Sequence, residues 1–261
     1  MLFLWPIDHT SQTPPCVRCH QAHFDYCTDH VVLDWEKMIA VTVGGDQQAN
    51  IVNLETSTSL GKMRNDTGLD QTHMFLCVDG SLESQKVAIG ARQGAVKIGD
   101  IPESRLVMQL RAHTADVTDV FADWERNQIV TCGWDALVNI FDIRSGKRTQ
   151  SMAGHTGVCK KIDVDFDLQL ALSCAWERQL ILWDLKQGAA LQSFPMKAND
   201  VCVNWDRMQA ATCGDDGLIC LLDLKSGEVL KEIDCGDVLN PQTLDVNWDR
   251  NLVLMGSADQ Q

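Results

Sequence analysis

A sequence that repeats itself roughly every 40 residues constrains this chain more than any other feature. The segment from Asp123 to Lys147 returns in variant form along the chain. One aromatic register, with spacings of 42, 39 and 43, is held by Trp124, Phe166, Trp205 and Trp248. A second register, with spacings of 42 and 39, is held by Asp142, Asp184 and Asp223. A fixed period in this range predicts a solenoid, a propeller or an array of repeated units.

Each unit reads as short strands separated by turns. Between Asn127 and Ile143, an apolar pair at Ile129-Val130 is followed by turn residues at Gly133-Trp134-Asp135 and then by a bulky run. Such runs between turn residues predict half-buried antiparallel strands. An Ala-His or Gly-His pair precedes two of the units, at His113 and His155. We therefore expect four strands in each period.

These features together resemble the WD-repeat β-propeller family. Trp183-Asp184 is the signature dipeptide at the end of a third strand, and Gly154-His155 is the opening pair. Phe141-Asp142 and Leu222-Asp223 are relaxed copies of the dipeptide. The resemblance covers most of the chain, and it implies four-stranded blades arranged as a propeller.

The resemblance also implies a buried hydrogen-bonded tetrad in each blade. In this family the tetrad joins a His before the first strand, a Ser or Thr on the second, an Asp in the next turn and a Trp on the third. The matching residues are His23, Thr42 and Asp46 in the first unit, His113, Thr131 and Asp135 in the third, His155, Ser173, Glu177 and Trp183 in the fourth, and Thr212 and Asp216 in the fifth. Glu177 replaces the family's Asp, Phe141 cannot donate in the third unit, and the second unit near 87–100 has lost the tetrad.

The two ends of the chain predict how the ring closes. Residues 243–261 match half a unit, Met1 to Trp5 resembles a third strand, and Cys16 to Gln21 can serve as a fourth. Because two open strand edges would favour aggregation, we expect the termini to share one blade. The expected fold is all-β: a single six-bladed WD-repeat β-propeller domain over 1–261, with closing strands in 1–22. Its blades would be 23–63, 72–110, 111–152, 153–194, 195–233 and the half blade 243–261. A seven-bladed propeller of which this chain is a fragment is the alternative.

Charge and hydropathy narrow the classes of partner. Acidic residues outnumber basic ones 36 to 22, which gives a net charge of −14. Nucleic-acid binders carry a basic footprint, so we expect no direct nucleic-acid partner. No stretch approaches the roughly 18 apolar residues of a membrane span, so we expect no membrane insertion. Other proteins or peptides remain the expected partners.

Eleven cysteines are scattered through the predicted strands. Cys132, Cys174 and Cys213 align with one another, directly after the second-strand Thr or Ser. A buried free Cys behaves as a small apolar residue, and a chain large enough to build its own core needs no disulfide framework. The cysteines therefore predict an intracellular, reducing compartment, with the cytoplasm as the default.

One cluster, Cys16 to His30, has a second interpretation. Cys16, Cys19 and His20 match the attachment pattern of c-type haem, and Cys16, Cys19, Cys27 and His30 are candidate zinc ligands. The same segment is needed as a strand, and the loop between its pairs is shorter than in zinc ribbons. We expect a structural role and no cofactor, with a zinc- or haem-bearing accessory protein as the alternative.

No phosphate-binding loop, nucleophile elbow or His-Glu-x-x-His motif marks the chain as an enzyme. The family resemblance implies partner binding on the face that carries the tetrad-Asp turns, through the residue before each such Asp. Those residues are Gly45, Arg92, Trp134, Trp176, Asp215 and Ala258. Trp and Arg are enriched at binding hot spots, so we predict a non-catalytic interaction scaffold, a subunit of a hetero-oligomeric assembly, that binds through Arg92, Trp134, Trp176 and Asp215. Trp35, Trp124, Trp205 and Trp248 are expected to pack between blades.

Overall fold

The computed structural model describes residues 2–4, 18–20, 23, 28–64, 74–236 and 241–257. These residues form antiparallel β-strands, and the one helical segment among them is a 3-10 turn at Arg92–Gly94. The chain divides into two compact units, Met1–Gln128 and Ile129–Gln261.

The first unit holds two complete four-stranded sheets. A short pair, β1 (Leu2–Leu4) with β2 (Arg18–His20), precedes them. The first sheet is a meander in chain order, made of β3 (Thr28–Asp34), β4 (Ile39–Gly44), β5 (Gln48–Asn53) and β6 (Thr58–Arg64). The second is made of β7 (Phe75–Ser81), β8 (Lys86–Ala91), β9 (Ala95–Asp100) and β10 (Arg105–Arg111). Strand β11 (Val117–Asp123) ends the unit and packs against β7 and β8.

The second unit repeats the same pattern. Strand β12 (Gln128–Gly133) begins at the boundary and is followed by the paired strands β13 (Leu137–Asp142) and β14 (Lys147–Ala153). One complete sheet is made of β15 (Cys159–Asp165), β16 (Leu170–Ala175), β17 (Gln179–Asp184) and β18 (Ala189–Phe194). The next is made of β19 (Asp200–Asn204), β20 (Gln209–Cys213), β21 (Leu218–Asp223) and β22 (Val229–Asp234). A final pair is β23 (Pro241–Asn247) with β24 (Leu252–Ser257).

The repeated aspartates end the third strands because their side chains build the turns that follow. Asp142 Oδ1 accepts a hydrogen bond from the Ser145 amide at 2.7 Å, and Asp223 Oδ1 accepts one from the Ser226 amide at 2.7 Å. These contacts with serine hold the pKa of both carboxyl groups below the usual range. The next residue, Gly146 or Gly227, has a φ of 66° or 77°, a conformation that glycine adopts without steric cost. The aspartate register of the sequence is thus a register of turns.

Aspartates that are buried (Asp200) or half-buried (Asp79 and Asp163) also join the first strands of successive sheets. Asp79 Oδ2 on β7 accepts the Ala122 amide of β11 at 2.7 Å, and Asp163 Oδ2 on β15 accepts the Val203 amide of β19 at 2.8 Å. Asp200 Oδ2 on β19 accepts the Leu244 amide of β23 at 2.9 Å. Burial raises the pKa of Asp79 and Asp200, although these amide bonds act in the opposite direction. The first strands of neighbouring sheets do not pair with each other, so their facing amides need another acceptor. The aspartate carboxylates supply it.

The apolar core lies between successive sheets within each unit. Strands β4, β8 and β16 are buried along nearly their whole length, whereas every residue of the outer strand β22 is exposed. In the second unit, Leu172 and Leu180 of one sheet share a cluster with Leu222 of the next. Burial at about 25 cal/mol per Å² of apolar surface is the main stabilising contribution for such a layer.

Two core cysteines are buried, whereas the tryptophans predicted to pack differ in their exposure. Cys174 and Cys213 are buried free thiols, and burial raises the pKa of Cys213 to about 12. Trp205 and Trp248 are partly buried against the apolar clusters. The packing prediction for Trp35 is wrong, because this side chain lies in the turn between β3 and β4 and is 60% exposed.

Candidate interaction site

The fourth repeat contains a continuous hydrogen-bonded network beneath an exposed turn. His155 Nδ1 lies 2.5 Å from Glu177 Oε1, and its Nε2 lies 2.6 Å from Ser173 Oγ. Trp183 Nε1 donates to the same Ser173 Oγ at 2.8 Å. Ser173 and Trp183 are essentially inaccessible to solvent, and His155 is buried. The structure thus brings together all four residues that the sequence assigned to this unit.

The direction of each hydrogen bond in this network follows from its two terminal groups, the Glu177 carboxylate and the Trp183 indole. The Glu177 carboxylate only accepts, so Nδ1 of His155 carries a proton and Nε2 of the neutral ring accepts from the Ser173 hydroxyl. The Ser173 oxygen in turn accepts from the Trp183 indole. Burial lowers the pKa of His155 and outweighs the attraction of Glu177, which is consistent with a neutral ring. Glu177 also accepts the amides of Thr156 at 3.2 Å and Gly157 at 3.1 Å.

A similar arrangement occurs in the first repeat. His23 Nδ1 lies 2.7 Å from Asp46 Oδ1, and its Nε2 lies 3.0 Å from Thr42 Oγ1. His23 and Thr42 are buried. Here too the histidine joins the turn after the second strand to the strand itself.

The other repeats differ. In the fifth, Thr212 Oγ1 donates to the sulfur of Met196 at 3.3 Å in place of an imidazole, and Asp216 Oδ2 lies 3.5 Å from Lys197 Nζ. In the third, His113 belongs to the first unit and Thr131 and Asp135 to the second, so their grouping stays a prediction. All three have partners, and Thr131 is fully buried.

The residues predicted to face a partner occupy equivalent turns. Trp134 lies between β12 and β13 and is 52% exposed, and Trp176 lies between β16 and β17 and is 63% exposed. Asp215 is exposed in the turn between β20 and β21. In the first unit, Arg92 opens the 3-10 turn and its Nε lies 3.6 Å from Asp116 Oδ2. Gly45 is partly buried, and Ala258 lies outside the described residues.

Trp176 and Asp215 also line a cleft of about 200 Å³ in the second unit. Its other lining residues are Lys160, Ala175, Arg178, Lys197, Ala198 and Asn199. Lys160 Nζ lies 5.8 Å from the centre of the Trp176 ring, a cation–π distance. Trp134 does not line this cleft.

Sequence reasoning missed most of the cleft. It named only Trp176 and Asp215 among the lining residues, and it did not find Lys160, which donates to Asn199 Oδ1. Lys197 and Asn199 lie in the segment before β19, where the fifth unit lacks its opening His. That missing His was the one available signal that this segment differs from the others.

The predicted metal cluster falls mostly outside the described residues. Cys16 and Cys27 lie there entirely, and Cys19 and His20 are described only as part of β2. His30 is described, and its Nδ1 lies 3.1 Å from the Val78 nitrogen and 2.9 Å from the Val78 oxygen. Among residues with described side chains, no group of three or more His, Cys, Asp or Glu residues has an arrangement that could hold a metal ion.

Comparison with known proteins identifies part of the repeat. Residues 104–142 and 146–184 match the family model described as WD domain, G-beta repeat. Each matched segment begins near an outer strand and ends on the aspartate that closes β13 or β17. No curated protein matches the chain. In the part of the chain that the structure describes, no helix is long and apolar enough to cross a membrane.

Proposed function

Because two segments of this all-β chain match the WD-repeat family, we propose that it is a non-catalytic scaffold that binds other proteins or peptides through the turns after its second strands. WD-repeat proteins are generally interaction scaffolds of this kind. The observation that carries the proposal is the exposure of two tryptophans, Trp134 and Trp176, at the same position of successive repeats. A tryptophan left in water at a fixed turn gains much more from burial by a partner than a polar side chain does.

The turn of Trp176 is held in place by the network beneath it. The Trp176 amide donates to the Val158 carbonyl at 3.0 Å, and the Arg178 amide donates to the Ala175 carbonyl at 3.1 Å. Glu177, between them, is bound to His155 and to two backbone amides. A preformed turn loses little conformational entropy on binding, which favours affinity. The histidine network therefore has a functional consequence in this proposal, since it fixes a binding turn.

Asp215 and Arg92 complete the proposed partner surface. Asp215 lies in the equivalent turn of the fifth repeat, and Arg92 lies in that of the second. Each is proposed to give a partner a polar contact from its own unit, since interface rims are polar and Arg is enriched at hot spots. In the full proposal the repeats form a six-bladed propeller, and the protein is one subunit of a hetero-oligomeric assembly in the cytoplasm.

Affinity purification of the tagged chain tests this proposal. We expect the Trp134→Ala/Trp176→Ala double variant to lose the proteins that accompany the natural chain. The matched control is Trp35→Ala, which removes an equally exposed tryptophan from a turn at the other end of a second strand. Companions that persist in the double variant, or that are lost equally in the control, would contradict the proposed surface.

A further inference from the structure

The cleft beside Trp176 concentrates positive charge in a strongly acidic protein. Three cationic side chains line it, from Lys160, Arg178 and Lys197, against the single carboxylate of Asp215. The chain as a whole carries a net charge of −14. The acidic surface keeps the protein soluble, so solubility does not explain a local cluster of cations. Such a cluster indicates a binding site for an anion.

Asn199 fixes two sides of the cleft. It is 5% exposed, its Oδ1 accepts from Lys160 Nζ, and its Nδ2 donates both to Asp215 Oδ1 at 2.5 Å and to the Pro241 carbonyl at 2.7 Å. Every hydrogen-bonding position of this amide, apart from one lone pair, is therefore used. The Lys160 ammonium and the Asp215 carboxylate are held in place before any ligand arrives.

The cations of the cleft are unequally neutralised. Lys197 Nζ lies 3.5 Å from Asp216 Oδ2, and Asn199 links Lys160 to Asp215. The Arg178 guanidinium has no carboxylate within ion-pair distance among the described residues. Glu177 adjoins it in sequence, but that carboxylate is bound to His155 and the amides of Thr156 and Gly157. One positive charge is left over, on the side chain whose planar fork matches a carboxylate.

We propose that this cleft binds one carboxylate group from an acidic segment of a partner protein. Arg178 takes the carboxylate, and Trp176, whose ring lies beside Lys160, covers the apolar stem that carries the group. A single residual charge matches a monoanion, and the carboxylate of Asp215 at the rim repels a dianionic phosphate more strongly than it repels a carboxylate. The proposal rests on the proposed function, since it names the chemistry of a partner at the Trp176 turn.

Binding of short labelled peptides to the purified full chain tests the cleft directly. The probe is an alternating Gly-Glu peptide with an amidated C-terminus, and its glutamine counterpart is the uncharged comparison. We expect the glutamate peptide to bind at least about tenfold more tightly, with an affinity that falls as salt is added. The Arg178→Gln variant should weaken its binding by about tenfold or more. Arg207→Gln is the matched control, because Arg207 is exposed in the turn at the far end of β20 from Asp215.

Three results would overturn the proposal. The first is equal or absent binding of the glutamate and glutamine peptides. The second is an equal effect of the Arg178→Gln and Arg207→Gln variants. The third is a phosphoserine counterpart that binds about tenfold more tightly than the glutamate peptide. A polyglycine peptide with a free C-terminus assigns the source of the group: stronger binding of this peptide indicates a chain terminus, and stronger binding of the glutamate peptide indicates a side chain.

The peptide test and the purification test can refute their proposals independently of each other. If the Trp134→Ala/Trp176→Ala variant loses its companions while no peptide shows dependence on Arg178, the carboxylate proposal is wrong and the scaffold proposal stands. If the glutamate peptide binds through Arg178 while no companion depends on the tryptophans, the cleft stands and the scaffold surface is wrong.

Discussion

Replacing Trp183 by alanine should destabilise the protein severely, because this indole is both a core side chain and a hydrogen-bond donor. Trp183 is 1% exposed, and its Nε1 donates to Ser173 Oγ at 2.8 Å. The neighbouring backbone is in close contact, since a Cβ added to Gly154 would lie only 2.8 Å from the indole Cη2. The indole is therefore tightly packed, and its removal should leave a cavity beside Gly154.

The expected magnitude follows from these two contributions. Truncating a buried Phe or Trp to Ala costs about 3–5 kcal/mol through lost burial and the cavity left behind. Loss of the donor to the buried Ser173 oxygen adds about 1 kcal/mol. Since a domain is typically stable by about 5–15 kcal/mol, Trp183→Ala should remove a large share of the total. Trp183→Phe keeps an aromatic ring but loses the donor to Ser173, and should cost about 1–3 kcal/mol.

Urea unfolding followed by far-UV circular dichroism measures this effect without depending on tryptophan fluorescence. Trp176→Ala is the matched control, because this side chain is 63% exposed and should change the free energy of unfolding by no more than about 0.5 kcal/mol. The reasoning is refuted if Trp183→Ala is as stable as the natural chain, or if Trp176→Ala is equally destabilised.

Two further predictions concern polar side chains that form hydrogen bonds within the protein. Asp163→Asn should cost about 1–3 kcal/mol, because Asp163 accepts the Val203 amide at 2.8 Å and the Trp205 indole at 2.9 Å; thermal unfolding beside the exposed Asp206→Asn control checks it, and equal midpoints would count against it. Stability should also fall as the pH drops below about 6.5, the ordinary pKa of histidine, because burial lowers the pKa of His155 in the folded state. The unfolded chain then binds the proton more readily than the folded one, so this contribution is complete above that pH and is lost below it. The free energy of unfolding in urea, measured from pH 5 to 8, should depend less on pH in His155→Gln than in the natural chain. An unchanged pH dependence would contradict the assignment.

The fold was largely accessible from sequence because its signals are local and periodic. Asp142 and Asp223 each build a turn from residues within five positions, so every repeat carries the same readable pattern. The network of His155 was also accessible, because a fixed offset along the chain becomes a fixed contact between neighbouring strands of one sheet. The all-β fold is confirmed, and the family model bears out the WD-repeat prediction at residues 104–142 and 146–184.

The cleft was not accessible for the opposite reason. The cleft is lined by residues from separate turns and strand starts, among them Lys160, Arg178 and Asn199. Their spacing along the chain does not indicate that they converge. The bonds of Asp79 and Asp163 were similarly hidden, because Oδ2 of each accepts an amide from the neighbouring sheet. Trp35 was misread because its place in the repeat suggests packing, whereas its turn leaves it exposed.

Site-directed photo-crosslinking tests the central claim, that the Trp176 turn contacts a partner protein, most directly. A photoreactive phenylalanine analogue at position 176 replaces an exposed aromatic side chain with one of similar character, and the same analogue at the exposed position 35 is the comparison. We predict that illumination of cells expressing the tagged chain gives a discrete crosslinked protein from position 176 and none from position 35. Crosslinks from both positions to the same proteins, or from neither, would contradict a partner-binding role for this turn.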